Sequence, residues 1–172
     1  MTRNHFELFD LAPAYSLDIE RLEDSYKELQ SLVHPDRYAQ AADAERRASM
    51  QWTTRVNEAY STLKNPVQRA KYLLELQGVD VGFETNTQMP ADFLMQQLET
   101  REQLEGALQN KDSNFLDLLR KDLSEKRKRL EAQIGESIDA RKDYAAATAL
   151  VRKLMFLQKI DDEIDAAYTA IE

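Results

Sequence analysis

Glycine and proline occur four times each in 172 residues, which leaves the chain few places to reverse direction tightly. An all-β fold needs turn residues roughly every 8–12 positions, so an all-β architecture is not expected. Apolar residues instead recur at helical spacing almost from end to end. Leu22, Tyr26, Leu29 and Val33 follow at intervals of 4, 3 and 4, which puts them on one helix face. Val151, Leu154, Leu157, Ile160, Ile164, Tyr168 and Ile171 form a second such seam, fit for an antiparallel bundle.

The scarce helix breakers then mark the element ends. A short helix over about 4–10 carries Phe6, Leu8 and Phe9 and stops before Pro13. A second starts at Asp18, a capping residue, with Leu17 and Leu22 in the positions of a hydrophobic staple. Pro35 ends it, because the residue before proline is pushed out of helical geometry. After a loop at 35–42, a third helix runs over about 43–64, with Ala48, Trp52, Val56, Ala59, Tyr60 and Leu63 inward. Asn65-Pro66 ends it and starts a fourth, since Asn caps well and Pro suits the first helical position. That helix holds Val67, Ala70, Leu73, Leu74 and Leu76 and stops near Gly78. Residues 78–90 contain Gly78, Gly82 and Pro90 among small polar residues, which marks a domain boundary. Three longer helices follow, over about 90–109, 112–134 and 140–171. The expected fold class is all-α: residues 1–76, a linker at 77–90, and a C-terminal three-helix bundle at 91–172.

Several chemistries drop out. There is no Cys, so disulfides, thiolate metal sites and cysteine nucleophiles are excluded. His5 and His34 are the two histidines, too few for a three-histidine metal site. The net charge of −8 is the reverse of what phosphate neutralisation demands, so no nucleic-acid partner is expected. Lys126-Arg127-Lys128-Arg129 is a short basic run among acids and reads as a solvated face. No apolar run is long enough to span a membrane, and the first residues lack the apolar core of a signal peptide. A cytoplasmic protein without metal or cofactor is expected.

One tripeptide stands out, His34-Pro35-Asp36. By itself it is compatible with a plain helix stop and a polar loop. A metal reading has only two ligands, and a hydrolytic one lacks a nucleophile and a pocket. Its place matters more: it opens the loop between two helices that should pack antiparallel. His34 and Asp36 then sit at the tip of a hairpin on a stiffened backbone, suited to docking into another protein.

The surrounding residues repeat a known pattern. Phe6-Glu7-Leu8-Phe9-Asp10-Leu11, then Leu22, Tyr26, Leu29 and His34-Pro35-Asp36-Arg37, then Val56-Asn57-Glu58-Ala59-Tyr60, Pro66 and Arg69-Ala70 with Tyr72-Leu73-Leu74 resemble a J domain over residues 1–76. The resemblance implies an antiparallel helical hairpin with flanking short helices. It also implies stimulation of a DnaK-type ATPase chaperone through His34, Pro35 and Asp36, with Arg37 as a local positive charge. The second helix departs from the J-domain pattern. Residues 18–33 hold Arg21 and Lys27 against Asp18, Glu20, Glu23, Asp24 and Glu28, where Lys and Arg usually dominate. Because charge complementarity governs encounter rate, a specialised chaperone is expected rather than a general DnaK.

The second half, with Phe93-Leu94-Met95-Gln96-Gln97-Leu98-Glu99 and Val151-Arg152-Lys153-Leu154-Met155-Phe156-Leu157, is similar to the HscB family, J-type co-chaperones of iron–sulfur cluster assembly. That resemblance implies an HscA-type chaperone and an IscU-type scaffold protein as partners. The periodicity fits a partner surface. Counted around the helix from Leu94 at about 100° per residue, Phe93, Leu104 and Leu108 fall at about 260°, about 280° and about 320°, a core stripe. Met95 and Leu98 fall at about 100° and about 40°, so with Leu94 they lie outside that stripe. Carried over position by position, the scaffold-binding residues are Leu94, Met95, Leu98, Glu99, Arg101, Glu102 and Phe156. Trp52 and Tyr60 are expected in the hairpin core, and His5 as an ordinary surface histidine.

The expected function is that of a non-enzymatic co-chaperone. It binds the scaffold, delivers it to the chaperone and stimulates ATP hydrolysis there. A general J-domain protein with another client, a small enzyme using His34 and Asp36, and a nucleic-acid adaptor are the rivals.

Overall fold

The computed structural model describes residues 2–82 and 89–172. Part of the stretch read as linker, 83–88, lies outside the described residues. Two compact units form, Met1–Gly78 and Val79–Glu172. Every regular element among the described residues is helical.

In the first unit, α1 (His5–Leu8), α2 (Ile19–Val33), α3 (Asp43–Lys64) and α4 (Pro66–Leu76) follow in order. Polar side chains cap the starts of α1, α2 and α4, whereas α3 starts after Ala42 without a side-chain cap. Asn4 and Glu7 form a capping box on α1, Asp18 Oδ1 accepts the Arg21 N–H, and Asn65 Oδ1 accepts the N–H groups of Val67 and Gln68. α2 and α3 pack as the expected hairpin, with α1 and α4 against α3. Phe6, Phe9, Leu22, Val56, Ala59, Leu63, Ala70 and Leu74 are buried at their centre. Arg69 is buried too, its Nη1 donating to the last-turn carbonyl of Leu63 at 2.7 Å, so a cation satisfies the C-terminal end of α3.

The inner face of α3 differs from the expectation at two places. Ala48 is exposed and Ser49 buried, and Trp52 is 43% exposed. Helical phase alone would admit Trp52. However, α1 is four residues long and lies beside α3 around Arg55 and Glu58, one turn past Trp52. The Arg55 guanidinium lies 5.3 Å from the indole centroid. Tyr60 is half-buried and stacks on Tyr26 at 3.9 Å. Leu76, read with the apolar residues of α4, is exposed. His5 is half-buried against Tyr72, ring centroids 4.3 Å apart, rather than free on the surface.

The second unit holds α5 (Ala91–Gln109), α6 (Ser113–Gly135) and α7 (Tyr144–Ile171). Asp112 and Asp143 cap α6 and α7 by accepting from Phe115 and Ala146. α7 begins four residues later than the spacing predicts. A widened turn at Glu136–Ala140 prolongs α6, and Lys142, at φ 53°, reverses the chain just before the Asp143 cap. Leu104, Ala107, Leu116, Leu119, Leu123, Leu157, Ile160, Ile164 and Ala167 make one core. Leu108, expected in it, is 38% exposed, whereas Gln97 is 6% exposed. Counted from Leu94 as before, the buried residues Gln97, Leu104 and Ala107 lie at about 300°, about 280° and about 220°. The stripe is therefore centred at about 260°, and Leu108, at about 320°, falls off its edge. Val81 is buried, and both its carbonyl bonds come from Arg152, at 3.0 and 2.8 Å.

Candidate functional site

Two arrangements, one in each unit, carry the residues singled out from the sequence. The first is the tip of the α2–α3 hairpin. Pro35 starts a tight 3-10 turn, Pro35–Tyr38, because it cannot extend α2 and leaves His34 at φ −57°, ψ 132°. The exposed side chains are those expected: His34 is 47% and Asp36 92% accessible. His34 Nδ1 accepts the Asp36 N–H at 3.2 Å. A ring nitrogen that accepts carries no proton, so the proton of the neutral ring is on Nε2, facing away from that bond. The Asp36 carboxylate lies 3.6 Å from the same nitrogen and is almost fully exposed. It stays open to a cationic partner.

The tip is held from behind. A helix end leaves its last carbonyls without partners. Here the Ser31 carbonyl accepts from Arg37 Nη1 at 3.2 Å and the Leu32 carbonyl from the Tyr38 hydroxyl at 3.3 Å. The Val33 carbonyl accepts from the hydroxyls of Ser49 and Thr53 on α3. Arg37 is thus a brace as well as a surface charge. Ser49, Thr53 and Tyr38 were not evident as tip residues from the sequence. Their signal was two hydroxyl residues four apart on a helix face otherwise lined by Val56 and Leu63, where an apolar residue would be ordinary. Beside the tip, Leu29, Leu32, Val33, Tyr38 and Trp52 line a groove of about 500 Å³ rimmed by Arg3 and Arg37. The exposed Trp52 therefore belongs to the surroundings of the tripeptide.

The second arrangement is the outer face of α5. Leu94, Met95 and Leu98 are 38%, 62% and 60% exposed, a continuous apolar patch on a helix whose other side is buried. Glu99, Arg101 and Glu102 are exposed beside them. Arg101 reaches Glu163 of α7 at 3.3 Å. Phe156 is half-buried, its ring edge-on to Phe93 with centroids 6.2 Å apart. Leu94, Met95, Leu98, Glu99, Arg101 and Glu102 thus share one helix side, and Phe156 adjoins through Phe93.

Among the described residues no group of three or more His, Asp or Glu is gathered as metal ligands, and no helix is long and apolar enough to cross a membrane.

A family model described as the HSCB C-terminal oligomerisation domain matches residues 89–165. The "Co-chaperone protein HscB homolog" of Burkholderia thailandensis is 48% identical over 169 residues, covering 98% of this chain and 96% of that protein. The homolog from Burkholderia vietnamiensis is 48% identical over 170 residues, with the same coverage. Among solved structures, chaperone HscB from Vibrio cholerae superimposes with a TM-score of 0.87 at 32% identity, covering 99% of this chain and 100% of that one. Human co-chaperone HscB does so at 0.90 and 28% identity, covering 96% and 82%. Sequence identity of this extent over nearly the whole of both chains, together with the all-helical fold shared with the solved structures, places the chain: it belongs to the HscB family of co-chaperones.

Proposed function

We propose that this co-chaperone binds an IscU-type iron–sulfur scaffold protein, delivers it to an HscA-type chaperone and stimulates that chaperone's ATPase within the bacterial cytoplasm. The observation that carries the proposal is the pairing, on one chain, of a braced hairpin tip with an unburied apolar patch. Each is exposed in its own unit and stands outside that unit's core. His34, Pro35 and Asp36 engage the chaperone, Asp36 pairing with a basic group there and Arg37 holding the turn. Leu94, Met95, Leu98 and Phe156 supply the apolar contact with the scaffold, and Glu99, Arg101 and Glu102 the charged rim, the usual division of an interface. Because both sites are on one polypeptide, a captured scaffold is presented at a raised effective concentration. The protein itself catalyses nothing.

Steady-state ATP hydrolysis by a cognate HscA-type chaperone with its scaffold tests the first half. His34→Gln is expected to remove stimulation while leaving scaffold binding intact; full stimulation by the variant would sink the tip assignment. Calorimetric titration of the scaffold with the Leu94→Ala/Leu98→Ala/Phe156→Ala variant tests the second. Binding should weaken by about a hundredfold or more, since central apolar anchors each contribute roughly 1–2 kcal/mol. Unchanged affinity would remove this face from the interface.

A further inference from the structure

We propose that a groove between α5, α6 and α7 is a second docking site, taking an acidic peptide segment with an apolar side chain from a protein partner. The groove is about 360 Å³ in volume, with Phe93, Leu130 and Leu157 as its apolar lining. Three cationic side chains, Lys126, Arg129 and Lys153, converge on it in a chain of net charge −8. Lys126 is matched by Asp122 at 2.8 Å, one turn back on α6. Neither Arg129 nor Lys153 has a carboxylate within ion-pair distance among the described residues, and the Lys153 ammonium lies 5.6 Å from the Phe93 ring centroid. The basic run of α6 is therefore divided. Arg127 pairs with Asp161 of α7 at 2.9 Å and Lys128 is exposed, while Lys126 and Arg129, three residues apart and so on one side of the helix, line the groove.

Gln97 decides the chemistry. It is 6% exposed, it lines the groove, and its Oε1 has no hydrogen-bond partner. A buried amide oxygen left unpaired is costly; with almost no accessible surface of its own, it meets an N–H donor in the groove once the Gln97 side chain turns towards it. Inorganic phosphate meets the cations and carries an O–H donor at neutral pH, but it brings nothing for the apolar lining of Phe93, Leu130 and Leu157, and a bare carboxylate brings neither donor nor apolar part. An acidic peptide brings all three elements: carboxylates for Arg129 and Lys153, a backbone N–H for Gln97 and a side chain for the apolar lining. Gln96 and Gln133 at the rim offer further amide groups to its backbone. On α5, Gln96, Phe93 and Gln97 lie at about 200°, about 260° and about 300° from Leu94, so the groove leaves free the Leu94 and Leu98 side of the helix. The two sites adjoin where Phe93 packs edge-on against Phe156.

Backbone and glutamine side-chain amide resonances of the ¹⁵N-labelled full chain, titrated with an acetylated and amidated Glu-Leu-Glu-Glu peptide, test this. Saturable shifts are expected at Gln96, Gln97 and Gln133. Binding should weaken by at least about tenfold in Arg129→Glu/Lys153→Glu, which puts like charges opposite the peptide. Gln97→Leu, close to isosteric, should weaken it by about fivefold while raising thermal stability, since it removes an unpaired buried oxygen. The proposal is overturned if the peptide shifts none of these groups, if the charge-reversed variant or Gln97→Leu binds as well as the parent, or if inorganic phosphate or a Lys-Leu-Lys-Lys peptide at matched ionic strength produces the same shifts.

Discussion

His34 and His5 show how far one residue type depends on its surroundings. His34 stands in solvent with Nδ1 tied to the backbone of Asp36, so the imidazole is held against the turn beside the exposed Asp36 carboxylate. His5 stacks on Tyr72, and burial holds its imidazolium below the ordinary value; Glu58 nearby works against that, and Arg55 with it. The unfolded chain takes up the His5 proton near pH 6.5, the folded chain only at lower pH. Stability therefore falls as pH drops through about 6.5 towards the folded value. In an NMR titration the His5 ring should protonate at lower pH than model imidazole. His5→Phe should flatten the decline in chemical-denaturation midpoint between pH 7.5 and 5.5. A second residue-scale expectation concerns the brace behind the tip. Ser49→Ala/Thr53→Val removes both donors to the Val33 carbonyl and should cost about 1–3 kcal/mol in urea unfolding. His34-Pro35-Asp36 was legible as a tripeptide at a helix stop. The hydroxyls of Ser49 and Thr53 that hold it were not, because they lie 16 and 20 residues from Val33, on another helix, and no local pattern links them.

Element starts were more legible than element faces. Asp18 and Asn65 cap the helices they were expected to cap, because a cap is a contact between residues two or three apart. Asn65→Ala should cost about 1 kcal/mol in thermal or urea unfolding. Faces depend on what lies opposite. On α5, Leu104→Ala should cost about 2–5 kcal/mol, as it empties a packed core position. Leu98→Ala, at 60% exposure, should change stability by no more than about 0.5 kcal/mol. Comparable losses for both would mean that the outer face of α5 is core and not a partner surface. Spacing placed Leu108 with Leu104 because they are one turn apart. The packing of α5 centred the buried stripe on Gln97, Leu104 and Ala107 instead, which rotated Leu108 outward and took a glutamine in.

At the scale of the molecule, each unit has its own buried centre: Phe6, Leu22, Leu63 and Leu74 in the first, Leu116, Leu154, Ile160 and Ile164 in the second. A fragment of residues 1–78 should fold by itself, with a cooperative melt by circular dichroism. On the proposed function, it should stimulate the chaperone's basal ATPase and show no added effect of the scaffold. A fragment that melts without cooperativity would show that the first core is incomplete alone.

The amino-acid sequence by itself determined that the chain is helical, where most helices begin, and which tripeptide stands at a hairpin tip. Each of these follows from interactions along a few residues of backbone: turn residues are scarce, apolar side chains repeat every three or four positions, and proline cannot continue a helix. Only the tertiary structure decided that Trp52 is uncovered, that Gln97 is buried, that α3 hydroxyls hold the tip and that Lys126, Arg129 and Lys153 meet around one groove. Those outcomes depend on which helix lies opposite and how long it is, and that information is spread over residues far apart in the chain.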